Sequence, residues 1–185
     1  IHCGGSDLVK VHHTNEIAQS ECATGKTFSR FWMHGEFLKM GNDKKMSKSD
    51  DEFLKLELLI EKGYSPLDYR YMALTSHYRN FLTFSWEGLD SAHNAVKSLK
   101  KKLAPYIAAP GTIESPAALQ WQSDFAAAIA DDLNVPKALG ILNSMLKDPN
   151  VAGAEKAGLA LDFDTVFALD LHVLAEETPV AGEDE

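Results

Sequence analysis

The chain has 185 residues and a mass of 20.3 kDa, which suits one ordinary domain or two small ones and excludes a large multidomain assembly. With 45% hydrophobic and 24% charged residues it has the composition of a globular protein, and no segment approaches the ~18 unbroken apolar residues of a membrane span. The net charge of -9 is uneven: residues 1–104 carry 15 Lys and Arg against 13 Asp and Glu, and residues 105–185 carry 3 against 14. We therefore expect no membrane partner, and we expect any polyanion to meet the first part of the chain.

The start of the chain predicts a strand, a turn and a helix. The opening IHCGG predicts a short strand with a glycine-rich turn at Gly4 and Gly5, and residues 8–11 predict a second extended piece. Thr14 or Asn15 then suits the N-cap of a helix, which we expect to stop at Gly25.

A strand or hairpin and a second helix are predicted next. Aromatic and apolar residues alternate over residues 28–40, which indicates a strand or hairpin, and residues 41–51 predict a polar loop. A helical period returns over residues 53–60 and ends at Lys62 and Gly63.

The chain after Gly63 predicts a further helix, and the chain after Asn80 predicts helices and connectors only. The pair Ser65 and Pro66 is typical of a helix start. Apolar residues three or four apart from Leu89 to Leu103 predict one amphipathic helix. Prolines and a glycine make residues 105–116 a linker candidate, after which further helices precede an acidic tail. The fold class is therefore an α/β front followed by a mainly α-helical remainder with a helical bundle.

The start of the sequence and its two cysteines bear on targeting and on the redox compartment. The sequence begins at Ile1 with no charged, apolar leader, so we expect it to be cut from something longer. Cys3 and Cys22 are too few for a disulfide framework, which predicts a cytoplasmic location.

The most specific feature is the lysine-rich stretch KKMSKSD at residues 44–50. Ammonium groups on a mobile loop can follow the phosphates of a nucleotide as charge moves onto a leaving pyrophosphate, although a generic basic loop is simply solvated. The five letters KMSKS resemble the signature loop of class I aminoacyl-tRNA synthetases. The resemblance implies two catalytic lysines and three neighbours that contact ATP, namely Lys45 and Lys48, and Met46, Ser47 and Ser49.

A second feature is HHTNE, in which His12 and Glu16 are four residues apart and can converge on one side of a helix start as two zinc ligands. A capping or hydrogen-bonding pair is the commoner arrangement of these residue types. The stretch HHTNEIAQSE, with IHCGGSD before it and WMH and KMSKS after it, resembles the cysteinyl-tRNA synthetase family. In that family the first His and the Glu bind zinc with two cysteines from earlier in the chain, which implies His12 and Glu16 as ligands; Cys3 and Cys22 fall outside the ligand positions.

The Gly-Gly-x-Asp turn gives a third set of candidates. Glycine lets backbone approach a nucleotide, and an Asp can accept hydrogen bonds from ribose hydroxyls, although an ordinary tight turn has the same residues. The resemblance implies an adenylate pocket formed by Gly4, Gly5 and Asp7, with His34 beside it and His2 and His13 as neighbours.

The resemblance covers nearly the whole chain and implies the C-terminal portion of a cysteine–tRNA ligase. Such an enzyme uses cysteine, ATP with Mg²⁺, a Zn²⁺ ion and tRNA(Cys), forms cysteinyl-adenylate and transfers cysteine to the tRNA. The N-terminal half, with the HIGH motif and the zinc cysteines, is then missing. Basic residues predicted to contact the tRNA backbone, with a solvated helix end as the alternative, are Arg79, Lys97, Lys100 and Lys101.

The resemblance also implies a division of the chain. Five segments are expected: residues 1–62, the end of the catalytic nucleotide-binding domain with the KMSKS loop; residues 63–104, a connecting helical domain; residues 105–116, a linker; residues 117–178, a helical anticodon-side bundle; and residues 179–185, an acidic tail.

One departure from the family concerns the residues after KMSKS. Asp50, Asp51 and Glu52 follow KMSKS where the family has Gly-Asn, and three carboxylates oppose the charge of a phosphate-binding loop.

Two alternatives stay open. A cysteine ligase that transfers to a small amine, as in mycothiol biosynthesis, is compatible with the acidic second part of the chain. A truncated paralogue that binds RNA or a partner without catalysis is compatible with the missing HIGH half.

Overall fold

A computed structural model describes residues 1–40 and 55–173 of the chain. The KMSKS loop and the acidic tail lie outside these residues. Helices dominate the described residues, and none of them combines the length and apolarity needed to cross a bilayer. The strands are β1 (His2–Gly5), β2 (Trp32–Gly35), β3 (Leu38–Met40) and β4 (Leu82–Phe84), and the helices are α1 (Thr14–Thr24), α2 (Leu56–Glu61), α3 (Pro66–Leu74), α4 (Trp86–Leu103), α5 (Pro116–Ala130), α6 (Val135–Met145) and α7 (Gly153–Phe167).

The chain divides into two compact units. Unit 1 comprises Ile1–Phe53 and Tyr78–Ser85, and unit 2 comprises Leu54–His77 and Trp86–Glu185. Unit 1 therefore contains all four strands and α1, and unit 2 contains α2 to α7.

Unit 1 is built from two pairs of parallel strands. β1 pairs with β2, with His2 opposite Trp32 and Gly5 opposite Gly35. β3 pairs with β4 in the same sense. Of the strand or hairpin predicted over residues 28–40, the strand is confirmed by β2 and β3. The hairpin alternative is wrong, because β2 and β3 each pair with a partner elsewhere in the chain. The expectation of no strand after Asn80 is also wrong, since β4 is a three-residue strand whose pairing with β3 no local period could indicate.

The predicted extended piece at residues 8–11 is helical instead. A 3-10 turn at Ser6–Leu8 leads into a π-helical turn at Val9–His13 and then directly into α1. The alternation of valines with polar residues imitates a strand, but Val9 and Val11 are 45% and 65% exposed and pack no core. The hydroxyl of Thr14 donates to the carbonyl of Val9 at 2.9 Å, so Thr14 lies within the helical path and does not cap its start.

The predicted end of α1 is confirmed. Gly25 adopts φ +65°, the left-handed conformation that favours glycine, and its N–H donates to the carbonyl of Glu21 at 2.8 Å. The segment from Ser6 to Gly25 is thus one continuous crossover that connects β1 to the parallel strand β2.

In unit 2, two sequence predictions are confirmed at the residue level. Ser65 caps α3, with its hydroxyl accepting from the N–H of Leu67, and Asp68 completes a capping box. α4 buries the predicted apolar stripe, which consists of Leu89, Ala92, Val96, Leu99 and Leu103. α3 and α4 pack against each other.

The remaining core of unit 2 lies among α5, α6 and α7. Phe125 of α5 stacks on Phe163 of α7 with 3.9 Å between ring centroids, and Phe167 meets Phe125 edge-on at 5.4 Å. The buried carboxylate of Asp164 accepts the N–H groups of Leu169 and Leu171 at 2.7 and 2.8 Å, which holds the turn after α7 in place.

The segment expected to be a linker, residues 105–116, is held against α7. The N–H of Gly111 donates to the carbonyl of Ala154 at 2.8 Å. A carboxylate oxygen of Glu155 accepts from the N–H groups of Ser115, at 2.7 Å, and Glu114, at 3.1 Å. These two donors lower the pKa of Glu155 below its ordinary value of 4.5.

We predict that Glu155→Gln destabilises the chain in a pH-dependent way. A carboxyl group whose pKa is lowered by folding contributes stability above its unfolded pKa, and the contribution is lost as the pH falls through the folded pKa. The variant should therefore have a lower free energy of unfolding than the wild type at pH 7, and the difference should shrink below the ordinary value of 4.5. Urea unfolding at several pH values measures it.

Glu114→Gln is the matched control, since it removes the same charge from an exposed side chain one residue before the N-cap of α5. It should follow the wild type at every pH. Unfolding free energies of Glu155→Gln that stay parallel to those of the wild type from pH 7 to pH 3 would contradict the assignment.

Candidate functional site

Four polar side chains of unit 1 converge where β1 leads into the helical crossover. His2 lies on β1 and His34 on β2, while His13 and Glu16 lie at the entry of α1. His2 Nε2 is 2.8 Å from Glu16 Oε2, and His13 Nδ1 is 2.8 Å from His34 Nε2. Two strands and one helix therefore hold the cluster from three directions.

His13 is the buried member of the cluster, with 3% of its surface exposed. Burial lowers its pKa, the neighbouring rings of His2, His34 and His12 lower it further, and Glu16 opposes them. In the bond to His34 one ring nitrogen donates and the other accepts. The ring of His13 is therefore suited to a neutral state.

The cluster has the donor set of a metal site. Ligand atoms of His2, His13 and Glu16 all lie within 4.8 Å of one another. His12, predicted as a zinc ligand with Glu16, lies at the edge with its side chain 60% exposed, and its Nε2 is 3.6 Å from Glu16 Oε1. Two ligands of one tetrahedral zinc are about 3.3 Å apart, so the predicted pair fits a zinc ion. Glu16 directs one oxygen to His2 and the other to His12.

The sequence did not predict that His2 and His13 contact the carboxylate of Glu16. Both histidines were expected only as neighbours of the adenylate pocket. His13 and Glu16 are three residues apart, a spacing that predicts contact between their side chains if the segment is helical. The contact of His2 depends on the path from β1 through residues 6–13, of which residues 8–11 were predicted to be extended.

Glycines at the end of β1 leave room for this arrangement. A Cβ on Gly4 would lie 2.7 Å from Cε1 of His13, closer than packed atoms allow, and a Cβ on Gly5 would collide with the carboxylate of Asp7. Asp7, in the first turn after β1, is exposed. The predicted adenylate residues Gly4, Gly5 and Asp7 are thus adjacent, and His34 contacts the same cluster through His13.

The other predicted site residues lie elsewhere. Lys97, Lys100 and Lys101 lie on α4 in unit 2. Arg79 lies in unit 1, with its guanidinium carbon 5.0 Å from the ring centroid of Tyr78. The residues of the phosphate-binding loop fall outside the described part of the chain; they are Lys45, Met46, Ser47, Lys48 and Ser49, together with Asp50, Asp51 and Glu52.

Comparison with known proteins supplies the context for this geometry. Residues 1–94 match the family described as tRNA synthetases class I (C) catalytic domain. The chain is 39% identical to the cysteine–tRNA ligase of Treponema denticola over 192 residues, covering 92% of the chain and 39% of that protein. It is 41% identical over 183 residues to cysteine–tRNA ligase 1 of Burkholderia lata, covering 98% and 37%. The chain therefore spans about two fifths of the length of these curated relatives.

We predict that Gly4→Ala disrupts the histidine cluster. The added methyl would overlap the ring of His13 and push it from His34, and overpacking of this kind costs roughly 1–3 kcal/mol. The ring resonances of His13 and His34 in NMR spectra should shift, and the bond between them should be lost.

Gly35→Ala is the matched control on the partner strand, because its Cβ would meet nothing nearer than the carbonyl oxygen of Tyr78 at 3.7 Å. It should leave the histidine resonances in place. Unchanged resonances in Gly4→Ala would show that the glycine is not required for the position of His13.

Proposed function

Because the chain belongs to the class I cysteinyl-tRNA synthetase family, we propose that it forms part of a cysteine–tRNA ligase. The proposed enzyme forms cysteinyl-adenylate and pyrophosphate from cysteine and ATP, and then passes cysteine to the 3′ end of tRNA. The observation that carries the proposal is the His and Glu cluster at the entry of α1, which lies inside the region matched to the family.

We propose that the cluster recognises cysteine. His12 and Glu16 would hold a zinc ion, which when bound supplies a soft Lewis acid for the thiolate of cysteine and so discriminates against the hydroxyl of serine. His2 orients the Glu16 carboxylate through its 2.8 Å hydrogen bond. His13, buried and with a lowered pKa, keeps a neutral ring beside the site.

The nucleotide would bind at the end of β1, beside Gly4, Gly5 and Asp7. The exposed Asp7 is proposed to accept hydrogen bonds from the ribose hydroxyls, since Gly4 and Gly5 keep the backbone there free of side chains. Lys45 and Lys48 would stabilise charge on the leaving pyrophosphate, with Mg²⁺ on the phosphates. The carboxylates of Asp50, Asp51 and Glu52 would oppose that charge and lower the affinity for ATP.

The other parts of the proposed enzyme are an upstream portion, outside this chain, and the helices of unit 2. An upstream portion would supply the HIGH motif and two zinc cysteines. The helices of unit 2 pack against one another through apolar faces, which supports a connecting helical domain over residues 63–104 and an anticodon-side bundle over residues 117–178.

We predict that His12→Ala and Glu16→Ala each weaken zinc binding at least tenfold in the protein joined to its upstream portion, because each removes one of four ligands. Zinc content after dialysis and the rate of cysteine-dependent ATP–pyrophosphate exchange measure the effect. The control is His172→Ala, which removes an exposed histidine of unit 2. Unchanged tight zinc in His12→Ala would refute its assignment as a ligand.

We also predict that Lys45→Ala and Lys48→Ala slow ATP–pyrophosphate exchange by about a hundredfold or more in the same protein, the loss typical of one charge-stabilising donor. Lys26→Ala, which removes an exposed lysine after α1, should leave the rate unchanged. ATP–pyrophosphate exchange without loading of tRNA would contradict the ligase and favour an enzyme that transfers cysteine to a small amine. Absence of exchange in the wild type would favour a noncatalytic paralogue.

A further inference from the structure

Unit 2 contains a half-open cavity of about 310 Å³ between the start of α3 and the middle of α4. Among its lining residues are Ser65 and Asp68 from α3 and its cap, and His93, Lys97 and Lys100 from α4. A volume of this size accommodates a small polar group.

The floor of the cavity is a paired carboxylate. The side chain of Asp68 is 3% exposed, and its Oδ2 is 2.9 Å from both the N–H of Ser65 and Nδ1 of His93. Its negative charge is therefore engaged by two donors inside the protein. The ring of His93 is 43% exposed and, toward the described residues, makes no hydrogen bond from Nε2.

The rim of the cavity is cationic. His93, Lys97 and Lys100 are spaced by four and three residues, which places them on one face of α4. No described residue forms an ion pair or hydrogen bond with either lysine. The carboxylate of Asp90, three residues before His93 on α4, accepts a hydrogen bond from the hydroxyl of Tyr64. Two lysines and a histidine thus line the cavity, and the acid among its lining residues, Asp68, already takes part in two hydrogen bonds.

We propose that this cavity binds a phosphate group. Lys97 and Lys100 would contact its oxygens as point charges, Ser65 would donate its hydroxyl, and the exposed edge of the His93 ring would lie beside it. A metal cation is disfavoured because two ammonium groups face it.

The phosphate can come from an RNA backbone or from a small phosphate such as pyrophosphate. The RNA source rests on the proposed function, whereas the site itself does not. Lys101 and Lys102 of the same helix are not among the lining residues of the cavity.

The test uses two double variants of the full chain with equal charge loss. Lys97→Ala with Lys100→Ala, the cavity variant, removes the cavity lysines. Lys137→Ala with Lys147→Ala, the control variant, removes two exposed lysines of unit 2 that do not line the cavity. Inorganic phosphate is titrated against the wild type and both variants while the ring resonances of His93 are followed by NMR. We expect saturable shifts in the wild type and the control variant, and an affinity at least tenfold weaker in the cavity variant. His93→Gln should also weaken phosphate binding.

A second arm measures the affinity of the same proteins for a tRNA(Cys) transcript. A loss of at least fivefold confined to the cavity variant identifies the RNA backbone as the source, and equal RNA affinity in all three proteins with phosphate binding still confined to the cavity identifies a small phosphate. The proposal is overturned if phosphate leaves the His93 resonances unmoved, or if both double variants weaken phosphate binding equally. Failure of tRNA charging alone, with the phosphate titration as expected, would count against the proposed function and not against this site.

Discussion

The parallel pairing of β1 with β2 positions the histidine cluster of unit 1. Parallel strands cannot be joined by a tight turn, so the chain must cross from the end of β1 to the start of β2, and here the crossover begins as a helix directly after Gly5. Because Gly4 pairs opposite His34, the ring of His34 lies beside the helix entry, where it meets His13. The cluster is therefore a consequence of strand register and of the length of the crossover.

The charge balance of the cluster suits a cation. Glu16 is the carboxylate among the histidines His2, His12 and His13, with which it makes contacts between 2.8 and 4.0 Å. Protonation of several adjacent rings would place like charges together, and burial lowers the pKa of His13 in particular. Neutral rings around one carboxylate can donate lone pairs to a metal, which is the chemistry that the proposed recognition of cysteine requires.

Local patterns predicted the features that depend on local physics. The apolar period of α4, the Ser65 cap of α3 and the Gly25 stop of α1 each follow from interactions within one or two helical turns, and the structure has all three. Strand pairing over a distance was not predictable in this way. β4 has three residues and no period of its own, and the valines of residues 9–11 imitate a strand although they are exposed.

The candidate site shows the same division. Resemblance to a family identified His12 and Glu16, but the closure of His2 on Glu16 depends on a turn that the sequence pattern described as extended. Cobalt substitution tests the central claim most directly. In the protein joined to its upstream portion and loaded with Co²⁺ in place of zinc, addition of cysteine should produce a new thiolate-to-metal charge-transfer absorption, and serine should not. Identical spectra with cysteine and serine would contradict recognition of the thiol by a metal held at His12 and Glu16.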